Sequence, residues 1–169
     1  MGRLPSEPSL GIPLDFMRTV WAVDHALNGL SRMMESRLGV TGPQRLVLRV
    51  VGRVPGISMS ALSRMVHLDP STLTGHLNRL VDAGLVTRRR ASDDKRRFEL
   101  RLTAAGARFD VATPGTIEAA VTALTRSFSA TELKHGRRVL ARLALELQKQ
   151  ITVIEAGPPS RRKLLGRPG

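Results

Sequence analysis

Residues Leu68 to Thr103 read LDPSTLTGHLNRLVDAGLVTRRRASDDKRRFELRLT, and this stretch decides the fold. Leu73, Leu77, Leu80 and Val81 follow an i, i+4, i+7, i+8 spacing that puts them on one buried stripe of an α-helix. The opposite face carries Ser71, Thr72, Thr74, Gly75, Asn78 and Arg79, small or hydrogen-bonding residues that let a helix approach base edges and phosphates. Asp69 ahead of Pro70 is a good start, since its carboxylate accepts from the first free N–H groups and proline at the first helical position loses no hydrogen bond. Gly84 is the matching stop. The period then changes. Phe98, Leu100 and Leu102 alternate with Arg97, Glu99 and Arg101, as in a strand with one face on a core and one in water. Leu85 to Arg90 can supply the partner strand, and the residues from Ala91 to Lys95 are turn material. The tip of this hairpin carries Lys95 and Arg96, with Arg88, Arg89, Arg90 and Arg97 on its shoulders.

A charge run on an exposed hairpin is by itself an ordinary solvated face. Here it follows a helix with a small polar face, in a chain with 27 Lys and Arg against 14 Asp and Glu and a net charge of +13. Together these read as a double-stranded DNA contact. The fold class expected is mostly α with a small β-hairpin wing, a winged helix-turn-helix with flanking dimerisation helices. With no Tyr, one Trp and four Phe, the core has to be built from Leu, Val, Ala and Met, which suits helix-on-helix packing.

Other classes find little support. No run of about 18 apolar residues is present to span a bilayer, and no signal peptide is recognisable, so no membrane role and a cytoplasmic location are expected. The absence of cysteine excludes disulfides, thiolate metal sites and cysteine-based peroxide sensing. No HExxH, Gly-rich phosphate loop or GxSxG occurs, so no enzyme activity, catalytic residue, metal or cofactor is expected.

The rest of the chain divides accordingly. Residues 1–13, with three prolines and two glycines, read as a flexible arm. Residues 14–40 form a first dimerisation helix with a stripe of Phe16, Val20, Val23, Leu27, Leu30 and Met34. Residues 41–103 form the DNA-binding lobe. Thr41 and Gln44 make a capping box for a helix ending before Pro55, and Ser58 caps another carrying Met59, Leu62, Met65 and Val66 under the recognition helix. Residues 104–156 supply further dimerisation helices: Thr103 caps the first, Pro114-Gly115 kinks or breaks it, and the box Ser129 to Glu132 opens a last helix with Leu133, Leu140, Leu143, Leu147 and Ile151 on one side. Residues 157–169 read as a disordered basic tail. Apolar stripes that a small lobe cannot bury alone point to a homodimer, although they can also pack on each other within one subunit.

The helix STLTGHLNRLVDAGLV, and above all Asp94-Lys95-Arg96-Arg97 followed by Leu102-Thr103, resemble the MarR family of bacterial transcription regulators over roughly residues 14–155. The resemblance implies a homodimeric winged helix-turn-helix repressor or activator, released from its operator by a small, aromatic or anionic effector. It implies further that Asp94 orients Arg96 or a nearby basic residue, although Asp94 also reads as an ordinary turn residue. Many relatives carry a basic residue where this chain has Gly75, which puts more of the affinity on the wing.

A two-fold dimer sets two recognition helices about 34 Å apart, in successive major grooves of a pseudo-palindrome. Ser71, Thr72, Thr74 and Asn78 are then base or phosphate contacts, with the Asn78 amide suited to adenine and Arg79 to phosphate. Arg96 is the candidate for the minor groove, and Arg88, Arg89, Lys95 and Arg97 for phosphate clamps. The effector site implied by the resemblance lies between the dimerisation helices and the lobe. Trp21 and His25, one turn apart on the first helix, are its candidate aromatic wall and titratable group; Trp21 reads equally as core or interface. The alternative function is a winged-helix interaction module that binds protein or RNA through a non-specific basic surface.

Overall fold

The computed structural model describes residues 9–90, 98–111 and 113–157. It divides into two compact units, one running through residue 121 and the other from residue 122. The wing tip, with Asp94, Lys95, Arg96 and Arg97, lies outside the described residues, as do most of the N-terminal arm and all but Gly157 of the basic tail.

The first unit opens with α1 (Ile12–Leu38), which starts two residues before the predicted Leu14 because Pro13 sits in its first turn. Gly39, in the left-handed region at φ 72°, ends it. Helix α2 (Gly42–Arg53) begins on the expected capping box: Thr41 accepts from the Gln44 N–H, and the Gln44 side chain accepts from the Thr41 N–H at 2.9 Å. Strand β1 (Ile57–Ser58) leads into α3 (Met59–Val66), where Ser58 caps by accepting from Ala61 N–H. Helix α4 (Pro70–Asp82) follows on the Asp69 cap. Strands β2 (Val86–Arg90) and β3 (Phe98–Leu102) form the wing hairpin. Thr103 caps α5 (Ala104–Phe109), and α6 (Ile117–Thr125) starts after Pro114-Gly115.

The core of this unit gathers Val47, Leu48 and Val51 of α2, Leu62 and Val66 of α3, Leu73, Leu77 and Leu80 of α4, and Val86 and Leu100 of the sheet. Two residues predicted to be buried are not. Val81 of α4 and Met65 of α3 are exposed. Each lies at the edge of its apolar stripe, and Leu80 and Val66 take the inward positions instead.

The hairpin is part of a three-stranded antiparallel sheet in the order β1-β3-β2. Ile57 pairs with Leu100 and Val86 with Leu102, so both neighbours pin β3 at its base. The two-residue β1 was not anticipated; it is too short to show a period. Along β3 only Leu100 is fully buried. Phe98, expected to face the core, is only partly covered by its neighbours and carries the Arg88 guanidinium 4.4 Å from its ring centroid and that of Arg90 at 5.5 Å.

Helix α5 makes a close approach that depends on glycine. A Cβ at Gly106 would fall far inside the van der Waals contact distance of the Leu85 carbonyl oxygen and 2.9 Å from its carbon. The Leu85 oxygen is already held by the Thr103 N–H at 3.0 Å. The loop after α5 is tied down by two arginines of α2. Arg45, 2% exposed, donates to the Glu118 carboxylate, to Val111 O at 2.8 Å and to Thr113 Oγ1 at 3.1 Å. Arg49 donates to the Asp110 carbonyl and to its Oδ1 at 2.8 Å.

The second unit holds the end of α6 and α7 (Ala130–Ala156). Ser129 and Glu132 form the expected capping box, with Ser129 N–H donating to Glu132 at 2.8 Å. Glu146 pairs with Arg142 and Lys149 on the polar side. No residue of α7 is buried, and Leu140, Leu147 and Ile151 stand about half exposed on its apolar stripe.

Candidate nucleic-acid interface and adjoining cavity

The geometry of α4 starts with its cap. Asp69 Oδ1 accepts from Ser71 N–H at 3.0 Å, Thr72 N–H at 2.9 Å and the Ser71 hydroxyl at 2.6 Å. The side-chain hydrogen bonds from Ser71 and Thr72 hold the Asp69 carboxyl well below the usual carboxylate range, so its charge persists at the positive end of the helix dipole. Buried Leu73, Leu77 and Leu80 fix the rotation of the helix, leaving Ser71, Thr72, Gly75, Asn78 and Arg79 exposed and Thr74 partly so. All six predicted recognition-helix residues thus fall on one solvent-facing surface.

Their hydrogen-bonding capacities differ. The Ser71 hydroxyl donates to Asp69, and Thr74 Oγ1 donates to the Pro70 carbonyl at 2.7 Å, so both retain free lone pairs and present themselves as acceptors. The Asn78 amide has no partner among the described residues and keeps both its donor and acceptor sides. Nothing lies within 4 Å of a Cβ at Gly75, so the surface there is open. His76, not among the predicted contacts, points sideways and is half-buried; desolvation, helped by the nearby Arg79 charge, lowers its pKa.

Of the wing's predicted clamps, Arg88 and Arg89 are exposed on β2, with Arg90 beside them. Adjacent strand residues face opposite sides of the sheet, so Arg88 and Arg90 share the Phe98 side while Arg89 points the other way, opposite Glu99. Stacking over Phe98 restricts these two long side chains. Sequence reading missed this platform, although Phe98 two residues beyond the basic tip was its visible sign.

A cavity of about 560 Å³ lies in the first unit. One face of α1 lines it with Asp24, Leu27, Asn28 and Ser31, an i, i+3, i+4, i+7 set, and α2 contributes Pro43, Leu46 and Arg49. Val66, Leu68 and the start of α6 through Ile117 and Glu118 close it. Ser31 Oγ accepts from Gly42 N–H at 2.8 Å, which joins the two helices at its floor. The predicted effector residues fall elsewhere. Trp21 is 62% exposed in a shallow hollow with Leu14 and Met17, and His25 is exposed and lines neither. The face of α1 that lines the cavity carries Asp24, Asn28 and Ser31 instead, small polar residues that give no aromatic signal.

A MarR family model matches residues 38–97, from the end of α1 into the wing. A putative transcriptional regulatory protein for the hcr operon of Thauera aromatica is 31% identical over 125 residues, covering 74% of this chain and 73% of the relative. The chain belongs to the MarR family. The crystal structure of the PcaV transcriptional regulator from Streptomyces coelicolor in complex with its natural ligand superposes with a TM-score of 0.64 at 25% identity, over 82% of this chain and 97% of that one. The MepR–DNA complex of S. aureus gives 0.63 over 78% and 97%, at 16% identity a likeness of fold alone. This MarR-family member is therefore a DNA-binding transcriptional regulator with a winged-helix fold. No helix among its described residues is long and apolar enough to cross a membrane.

Proposed function

We propose that this chain represses transcription as a homodimer, binding a pseudo-palindromic operator in the cytoplasm and leaving it when a small effector occupies the cavity between α1, α2 and α6. The observation that carries the DNA reading is the Asp69-capped α4, its polar face outward, next to the arginine-bearing β2. Each recognition helix enters a major groove, where Asn78 suits adenine, Ser71, Thr72 and Thr74 offer acceptors or close approach, and Arg79 takes a phosphate. Arg88, Arg89, Lys95 and Arg97 clamp the backbone while Arg96 enters the minor groove, oriented by Asp94.

Dimerisation is supported by what the apolar stripes leave uncovered. On α1 only Met34 is buried, while Phe16, Val23 and Leu27 are each 41–54% exposed, and α7 buries nothing. Such long amphipathic helices call for a partner surface. The effector reading is supported by the cavity itself, whose volume suits a drug-sized ligand and whose α2 wall belongs to the helix that packs against both α3 and α4.

Selection of bound duplexes from a random pool, followed by titration of the selected site against random DNA at physiological salt, tests this function. A two-fold-symmetric site bound at least about a thousandfold more tightly than random sequence is expected. Equal affinity for random DNA and RNA would instead support the non-specific interaction module.

A further inference from the structure

We propose that the cavity takes an amphipathic cation, an apolar body with an ammonium group seated at Asp24, rather than the anionic ligand that the resemblance implies. This rests on the reading of the cavity as the effector site.

The assignment follows from which wall charges are already matched. Three charged residues line the cavity: Asp24, Arg49 and Glu118. Arg49 is paired with Asp110 at 2.8 Å, and Asp110 is hemmed in, since its Cγ would stand 2.7 Å from a Cβ at Gly52. Turning Arg49 toward an anion would strand a carboxylate that is only 24% exposed. Glu118 is held from behind the wall by the buried Arg45. Asp24 has neither a hydrogen bond nor an ion pair among the described residues. The uncompensated charge on the wall is therefore one carboxylate, inside a chain of net charge +13 whose surface at large repels cations.

The neutral polar groups are compatible with this head group. Asn28, one turn from Asp24, offers a carbonyl acceptor to an ammonium hydrogen, and Ser31 retains a lone pair beyond the one used by Gly42. Leu27, Pro43, Leu46, Val66 and Ile117 give the rest of the ligand an apolar bed. The site is half open, so the ion pair fixes which charge is preferred, and burial of the body supplies most of the affinity.

A matched pair of probes separates the alternatives: 4-phenylbutylammonium and 4-phenylbutyrate, titrated by calorimetry into the full chain with and without its selected duplex. Three proteins are compared: wild type, Asp24→Asn and Leu46→Trp. Leu46 is 49% exposed, so the tryptophan fills the cavity mouth without entering the core, and unchanged duplex affinity without probe confirms folding. The ammonium should bind at least about fivefold tighter than the carboxylate, Asp24→Asn should erase that preference, Leu46→Trp should abolish binding, and the ammonium should weaken duplex binding. Tighter binding of phenylbutyrate that Leu46→Trp abolishes would overturn the cation and leave the effector site standing. Ammonium binding with the expected Asp24 and Leu46 dependence but no effect on the duplex would keep the cation and overturn the effector reading. If neither probe binds, or Leu46→Trp changes nothing, both fall.

Discussion

Two glycine-to-alanine substitutions in helices of the same unit should shift stability in opposite directions. Alanine in a helix interior is ordinarily favoured over glycine by about 1 kcal/mol. At Gly75, with open space around the new methyl, that gain should appear nearly whole. At Gly106 the methyl meets the Leu85 carbonyl, which belongs to the backbone just before β2 and has no rotamer to escape into. Helix α5 must move instead. Overpacking of this kind costs about 1–3 kcal/mol. The shift also strains the Thr103 cap, in which Gly106 N–H donates to Thr103 Oγ1 at 2.9 Å, worth about 1 kcal/mol, and the Thr103 N–H bond to Leu85, worth about another 1 kcal/mol. Against the helix-propensity gain, Gly106→Ala should lose about 3 kcal/mol net. The two variants should differ by about 4 kcal/mol on this reckoning. Urea unfolding at one fixed protomer concentration measures this without confusion from association. A Gly106→Ala protein whose midpoint equals or exceeds that of the wild type, at unchanged slope, would refute the packing of α5 on Leu85.

Four further outcomes are expected. Arg45→Ala removes the buried guanidinium that donates to Glu118, Val111 O and Thr113 Oγ1 and should cost about 3 kcal/mol, toward the low end for a broken buried pair because Glu118 is 26% exposed; differential scanning calorimetry reads it. Phe98→Leu should weaken duplex binding by about 1 kcal/mol while Phe98→Tyr leaves it intact, which a fluorescence anisotropy titration distinguishes from simple loss of bulk. His76 has its pKa lowered by desolvation from 6.5, so the folded state resists protonation: the stability it supports is full above pH 6.5 and declines as pH falls below that value. His76→Gln should flatten that part of the stability–pH curve, and an unchanged curve would show that His76 is not its source. His67 ends α3 with φ 54°, the one non-glycine residue described in the left-handed region, so His67→Gly should raise the urea midpoint by an amount equivalent to about 1 kcal/mol.

What the sequence disclosed was local. Thr41 with Gln44, Ser58, Asp69, Thr103 and Ser129 with Glu132 all cap where expected, because a cap is decided within four residues. The alternating leucines of β3 and the stripe of α4 were legible for the same reason. Arg45 and Arg49, by contrast, look like an ordinary solvated pair one turn apart. Their burial depends on partners 61 to 73 residues away, which no local pattern reports. The cavity wall was hidden in a similar manner. Trp21 draws the eye, while the face that meets α2 is chosen by Ser31 reaching Gly42. Phe98 kept the predicted period and still lay outside the core, since at its end of β3 the guanidinium groups of Arg88 and Arg90 lie over the ring.

The position of β2 at the border of the sheet has a consequence for handling the protein. With β3 on its inner side and no other strand beside it among the described residues, β2 presents a sheet edge onto which another chain's strand could zip. Three successive arginines, Arg88 to Arg90, make that edge mutually repulsive between molecules. Replacing all three with neutral residues to probe binding would remove this safeguard as well as the proposed clamps Arg88 and Arg89, and the product should self-associate through its edges. Single substitutions, or exchange for lysine, keep the molecules apart while the contacts are dissected one at a time.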